Sequence, residues 1–241
     1  MKIPWTEGAM EAQIKKAVAF YWKTRKSQSK RQAKSGTRDA GTRGEVTGGK
    51  HLDAFAEILR KVGRAAGFKP SEMIDGKQFP IPGYYRAQKN WDFVFVKNGK
   101  LVAVVELKSQ SGSFGNNCNN RAEEVLGVSH DFWKAYREKV LGVPPAPWTG
   151  YFFMLEGDDG SETPVRISKR KSFLEPMAIF EGSSYMRRYE ILCERLMLER
   201  DYAAASLLVT TKGGEIVPCG NKALSFASFC ESLYRHLIAY S

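Results

Sequence analysis

Trp91-Asp92-Phe93-Val94-Phe95-Val96-Lys97-Asn98-Gly99-Lys100-Leu101-Val102-Ala103-Val104-Val105-Glu106-Leu107-Lys108 is the stretch around which the chain is organised. Two apolar runs rich in β-branched and aromatic residues flank Asn98-Gly99, and an Asn-Gly pair in that setting is the strongest short-range hairpin signal. Leu101 to Val105 is too continuously apolar for a strand with one solvated face, so the second strand belongs inside a sheet covered on both sides. Asp92 opens the first strand, and Glu106 and Lys108 close the second. Charged groups are rarely buried without a partner; two carboxylates and an ammonium at the ends of core strands need a reason, and a divalent metal supplies one. The plainer alternative is a surface hairpin in which Glu106 and Lys108 form an ion pair. Register separates the two. A two-residue turn with regular pairing sets Asp92 opposite Val105 and faces it away from Glu106 and Lys108. A three-residue loop with Gly99 left-handed sets Asp92 opposite Val104 and puts all three side chains on one face, so the chemistry requires such a loop or a bulge in this hairpin.

Asp92 followed by Glu106-Leu107-Lys108 resembles the PD-(D/E)xK nuclease signature, with Trp91 where a proline is usual. Pro82-Gly83-Tyr84-Tyr85-Arg86 lies before the hairpin, and Ser113-Phe114-Gly115-Asn116-Asn117-Cys118-Asn119-Asn120-Arg121-Ala122-Glu123-Glu124 after it. Ser184-Tyr185-Met186-Arg187-Arg188-Tyr189-Glu190 follows further on. Together, from about Gly48 to Tyr202, these motifs resemble the type II restriction endonucleases of the XhoI family. The resemblance implies an α/β protein with a restriction-endonuclease-like core, a mixed central sheet flanked by helices. It implies a magnesium-dependent, homodimeric enzyme that cuts both strands of duplex DNA within CTCGAG or a close relative. It further implies pairing with a cognate DNA methyltransferase in a prokaryotic cytoplasm. In that reading Asp92 and Glu106 hold Mg2+, the carbonyl of Leu107 and a phosphate oxygen complete its shell, and Lys108 orients the attacking water. A helix before the sheet can add a carboxylate in such folds. Asp53 and Glu57 are the candidates, Asp53 the better for its Gly48-Gly49-x-x-Leu52-Asp53 context.

Composition narrows the partners independently. The 241 residues suit one α/β domain with insertions, and no long polar linker splits the apolar regions after His51. A net charge of +11 favours a polyanion, either nucleic acid or an anionic membrane surface. Membrane is the poorer choice, since no run of eighteen apolar residues and no signal-peptide core is present. Cys118, Cys193, Cys219 and Cys230 form no Cys-x-x-Cys pair and read as reduced thiols. No P-loop or dinucleotide fingerprint appears, and His130-Asp131 reads as a surface pair.

Met10, Ile14, Val18, Tyr21 and Trp22 recur at helical spacing from Gly8 to about Arg25. From Lys26 to Gly49 large apolar groups are almost missing, so this stretch cannot bury a core and is expected to be a mobile arm. Met1 to Lys50 carries twelve basic and four acidic residues, +8 of the chain's +11. Lys30, Arg31, Lys34, Arg38 and Arg43 would track DNA phosphates, unless the arm is only a solubilising linker. The expected division is 1–47, basic helix and arm, and 48–241, one nuclease domain.

Leu52 to Gly67 reads as a helix, Lys77 to Tyr85 as an edge strand or extended loop, and Ser109 to Asn119 as a loop. A further helix is expected from Asn120, capped by Asn120 with Glu123. Tyr151 to Leu155 and Ala205 to Thr210 read as strands, and Ser184 to Tyr202 and Leu224 to Tyr240 as helices. Asn116, Asn117, Asn119, Asn120 and Arg121 are suited to base readout, asparagine with adenine and arginine with guanine; the alternative is that they only shape the loop and cap the helix. Two other functions compete: a structure-specific repair nuclease or junction resolvase of the same fold, and a non-catalytic DNA-binding protein. The intact Asp92, Glu106, Lys108 set argues against the second, and the amide-rich run against the first.

Overall fold

The computed structural model describes residues 3–35, 50–75, 78–142, 145–167 and 174–240, with only the backbone of 29–35. Its helices are α1 (Glu7–Ser35), α2 (Asp53–Ala65), α3 (Phe114–Arg137), α4 (Asp159–Glu162), α5 (Tyr185–Leu198) and α6 (Phe226–Leu237). Its strands are β1 (Met73–Asp75), β2 (Pro80–Pro82), β3 (Gln88–Asn90), β4 (Phe93–Lys97), β5 (Lys100–Gln110), β6 (Trp148–Glu156), β7 (Ala204–Thr210) and β8 (Ile216–Val217). Six strands form one sheet in the order β1-β4-β5-β6-β7-β8, and β2 and β3 make a separate ribbon. β5 is antiparallel to β4 and parallel to β6, β6 is parallel to β7, and both outer pairs are antiparallel. This is the mixed, helix-flanked sheet that the family resemblance implies.

The hairpin corrects the expected register while keeping its parity. Asn98 and Gly99 both have positive φ, 51° and 70°, the signature of a tight two-residue turn, and Lys97 pairs with Lys100. The extra residue sits in β5 instead. Val96 pairs with Leu101 and Phe95 with Ala103, so Val102 is a bulge. The carbonyl of Val102 is met by His236 Nε2 at 3.1 Å, which satisfies a polar group on the bulged residue. Beyond it Phe93 pairs with Val105, so Asp92 comes level with Glu106 and not with Val104. One inserted residue, in loop or in strand, restores the same face.

Strand alternation sends two rows of side chains into two cores. Phe93, Phe95, Val105, Leu107, Phe152, Met154 and Leu208 pack with residues of α1, α2 and α6. Val94, Val104, Tyr151, Phe153, Leu155 and Leu207 pack with residues of α3 and α5. Every residue of β6 and β7 is buried, as strands covered on both faces must be. Gly67, left-handed at φ 81°, ends α2 as expected, and Phe68 N donates to Gly63 O at 2.9 Å.

Two helices begin or end elsewhere than their local signals indicate. α1 continues past Arg25 to Ser35, where Lys, Gln, Arg and Ala, good helix formers, extend it without an apolar stripe. The arm expected from Lys26 is thus helical in its first part, and Arg38 and Arg43 lie outside the described residues. α3 begins at Phe114, so the asparagine run is helical and not a loop, and Asn120 is not its cap. Buried Phe114, stacked on Tyr185 at 6.4 Å, anchors that first turn. Tertiary packing overrides the modest helix propensity of asparagine.

Candidate active site

The bulge brings Asp92 and Glu106 side by side on the α3/α5 face, and Lys108 joins them two residues further along β5. Glu106 is 2 % exposed. Lys108 Nζ lies 2.5 Å from Glu106 Oε1, 3.5 Å from Glu124 Oε1 and 4.0 Å from Asp92 Oδ2. Lys89, from β3, reaches Glu106 with Nζ at 3.0 Å from Oε2 and 3.2 Å from Oε1. The backbone N–H of Leu107 donates to Asp92 Oδ2 at 2.7 Å, locking that carboxylate against the strand. Arg121 pairs with Glu124 from the preceding turn of α3.

The two carboxylates differ in their electrostatics. Burial and then the charge of Glu106 push the Asp92 carboxyl up to about 6. Burial also works to raise Glu106, but Lys108 and Lys89 outweigh it and hold the group below the usual carboxylate range. For Lys108 burial opposes the charge, yet Glu106, Asp92 and Glu124 more than offset this and favour the ammonium.

Hard oxygen donors held together against their mutual repulsion fit a divalent cation such as magnesium. Glu106 Oε2 accepts no directed hydrogen bond although Lys89 Nζ is near, and the Tyr151 and Tyr202 hydroxyls beside it are also buried without a partner. Glu106, Lys108, Glu124, Tyr151 and Tyr202 line one crevice. Among the described residues no cluster of three or more Asp, Glu, His or Cys donors forms a cage, so a cation here would take its remaining ligands from the backbone, water or substrate. A wider cavity lies at the other end of the hairpin, lined by Phe79, Ile81, Val96, Leu101 and Val140. It is largely apolar and holds none of this chemistry.

The other candidate residues are placed differently. Asp53 and Glu57 stand on α2, which packs on the opposite face of the sheet. Glu57 is bound by Arg60 and by Arg64, and Asp53, raised by partial burial and by Asp75, is exposed. Neither pairs with Asp92, Glu106 or Lys108. The helix carboxylate that reaches the cluster is Glu124 of α3. Asn116, Asn119 and Asn120 form an exposed stripe at helical spacing, whereas Asn117 donates to Ser113 O at 2.9 Å. Arg121 is turned inward on Glu124, with Nε buried and unpartnered. Lys30, Arg31 and Lys34 fall on the last turns of α1.

Sequence reading missed Lys89, Glu124 and Asp131. Glu124 had a usable signal, since it follows Arg121 by three residues on a helix; Lys89, on a three-residue strand, had none. Asp131 is not a surface residue. It is 4 % exposed and accepts from the N–H groups of Tyr84 and Tyr85 at 2.9 and 2.7 Å.

Comparison with known proteins places these features in a family. The family described as restriction endonuclease XhoI matches residues 31–219. The type II restriction enzyme BstVI of Geobacillus stearothermophilus is 43% identical over 183 residues, covering 73% of this chain and 81% of that protein. The type II restriction enzyme XhoI of Xanthomonas vasicola is 40% identical over 185 residues, covering 76% and 73%. The type II restriction enzyme AbrI of Azospirillum brasilense is 37% identical over 148 residues, covering 61% and 66%. No solved structure matches.

Proposed function

The chain belongs to the XhoI restriction endonuclease family, and on that premise we propose that it cuts both strands of duplex DNA at a palindromic site resembling CTCGAG, using Mg2+. The observation that carries this reading is the bulge at Val102, which puts Asp92, Glu106 and Lys108 on one face beside a crevice. Asp92 and Glu106 would hold the cation, with the Leu107 carbonyl as a further ligand. Bound there, magnesium supplies charge neutralisation at the phosphate and a water of lowered pKa.

The chain's own residues do the positioning. Lys108, held as an ammonium beside three carboxylates, donates hydrogen bonds to the attacking water and to the phosphate oxygens that gain charge. Glu124 is a second carboxylate partner of Lys108, from α3, and Arg121 holds Glu124. Lys89 offsets the charge of Glu106 and can turn to the incoming phosphate. Asn116, Asn119 and Asn120 face outward on α3 and are the base readers, while Arg121 acts from beneath. Lys30, Arg31, Lys34, Arg38 and Arg43 track phosphates. The unit 48–241 is the nuclease domain, preceded by the basic segment 1–47, whose helix packs through Met10, Val18 and Tyr21 on the same core.

A palindromic site matches a two-fold homodimer. A nuclease of this specificity also requires a methyltransferase to protect host DNA, which sets its place in a prokaryotic cytoplasm. No helix among the described residues is long and apolar enough to cross a membrane. The test is incubation with plasmid DNA carrying one CTCGAG, with magnesium and then with a chelator, followed by sequencing of the ends. Linear product with ends inside the site is expected. Cutting without sequence preference, or no magnesium-dependent cutting, overturns the reading.

A further inference from the structure

Gly83-Tyr84-Tyr85-Arg86 takes no part in the acidic cluster, yet a buried carboxylate holds its backbone. Asp131 lies beneath it with one carboxylate oxygen on the Tyr84 and Tyr85 N–H groups and the other 2.9 Å from Arg86 Nε. Gly83 is required by the close approach, because a Cβ there would lie 2.5 Å from Asp131 Oδ2 and 2.8 Å from the Arg86 carbonyl. Burying a carboxylate is costly unless it is fully bonded, and a loop that only had to turn would need no such centre.

What this centre fixes is a pair of exposed rings. Tyr84 is 47 % and Tyr85 64 % exposed. Tyr85 stacks on His130 with centroids 5.5 Å apart, and Lys134 Nζ lies 4.8 Å from the Tyr84 ring centre. His130, Asp131 and Lys134 all belong to α3, the helix that presents Asn116, Asn119 and Asn120. Loop and helix are therefore tied into one surface, with Lys134, which also pairs with Glu138, over the Tyr84 ring.

We propose that the Asp131-clamped Tyr84-Tyr85 loop is a rigid aromatic contact for duplex DNA, packing its rings on deoxyribose and base edges flanking the cut phosphate. The position relative to the cut rests on the endonuclease reading; the contact with DNA does not. Tyr85 precedes Lys89 by four residues, and Lys89 Nζ is 3.0 Å from Glu106. Four residues of chain separate their Cα atoms by at most about 14 Å, so the loop stays beside the strand that carries Lys89. DNA is the occupant that the net charge of +11 favours for the molecule as a whole, and the loop is placed on it because Lys134 lies about five helical turns from Asn116 on the same face of α3. Asp131 is a positioning residue, acting only through the loop.

The probes are a duplex of about 20 base pairs containing CTCGAG and an unrelated duplex of that length, read by fluorescence anisotropy with calcium replacing magnesium. Tyr84→Ala with Tyr85→Ala should lose about ten- to a hundredfold in affinity for the CTCGAG duplex. The salt slope and the melting temperature should not move, because the rings are uncharged and exposed. Tyr84→Phe with Tyr85→Phe should keep affinity within about threefold, since the ring faces make the contact. Asp131→Asn should lose affinity as the alanine pair does, with faster hydrogen exchange at the Tyr84 and Tyr85 amides. Wild-type affinity in the alanine pair overturns the proposal, as does wild-type protein that binds neither duplex. If wild type cuts the plasmid and the alanine pair binds and cuts equally well, the loop inference fails while the endonuclease reading stands. If wild type binds without cutting and the alanine pair fails to bind, the reverse holds.

Discussion

On the face of the sheet covered by α1, α2 and α6, Phe93, Phe95, Val105, Leu107 and Phe152 pack with Phe55, Leu59 and Phe226 in an apolar core. On the face covered by α3 and α5, Asp92, Glu106 and Lys108 stand in the same rows as Val94 and Val104, and Asp131, Tyr151 and Tyr202 add further polar groups. The same two strands supply both faces, one residue apart. A pleated strand can therefore keep a charged cluster in place by rooting its alternate side chains in a core that has no chemistry to do. The cost of holding Glu106 at 2 % exposure is offset on one face by lysines and on the other by aromatic packing.

That division of labour can be broken most directly by one substitution on each face. Asp92→Asn keeps an acceptor for Leu107 N and removes a charge repelled by Glu106. It should cut magnesium-dependent cleavage by about a thousandfold while leaving the melting temperature unchanged or higher. Phe152→Ala, whose ring packs on Phe55 at 4.7 Å, should do the opposite. It should cost about 3–5 kcal/mol in a denaturant titration, with a normal cleavage rate for the fraction that stays folded. Comparable rate losses in both folded variants would show that the faces are not separable.

The two helices that offer a candidate acid sharpen the comparison at a smaller scale. Glu124→Gln on α3 removes a partner of Lys108 and should lower the cleavage rate by about tenfold or more at saturating DNA. Glu57→Gln on α2 loses only exposed pairs with Arg60 and Arg64, worth less than about 1 kcal/mol, and should cut at the wild-type rate. A slow Glu57→Gln beside a normal Glu124→Gln would return the extra carboxylate to α2.

The smallest effect is one of pH. The Asp92 carboxyl, at about 6, binds its proton more tightly in the folded chain than in the unfolded one. Its contribution to stability is full below the unfolded value near 4 and lost as pH rises through about 6. The side chain is 41% exposed, so after solvent screening the effect should be under about 1 kcal/mol. Metal-free wild type should lose melting temperature relative to Asp92→Asn across that window, and parallel curves would refute the shift. Cleavage should rise across the same window, with a midpoint that falls as magnesium is raised, because cation and proton compete for one carboxylate.

Much of this was legible in one dimension. Asn98-Gly99 between apolar runs, and the excess of apolar residues from Leu101 to Val105, placed a hairpin in a doubly covered sheet; the spacing of Asp92, Glu106 and Lys108 required one inserted residue to bring them together. These are local properties, because side chains alternate along a strand whatever surrounds it. Contacts between distant segments decided the rest. Val102 carries the insertion where His236 can reach its carbonyl, Phe114 on Tyr185 turns the asparagine run into helix, and Lys89 meets Glu106 only because two strands fold together. α2 and α3 each offer acids at plausible spacing, and only the side of the sheet on which each helix packs determines which acid meets Lys108. Chain order does not encode that side, since a helix following a linker can cover either face and the choice is made by which apolar stripe fits which row of the sheet.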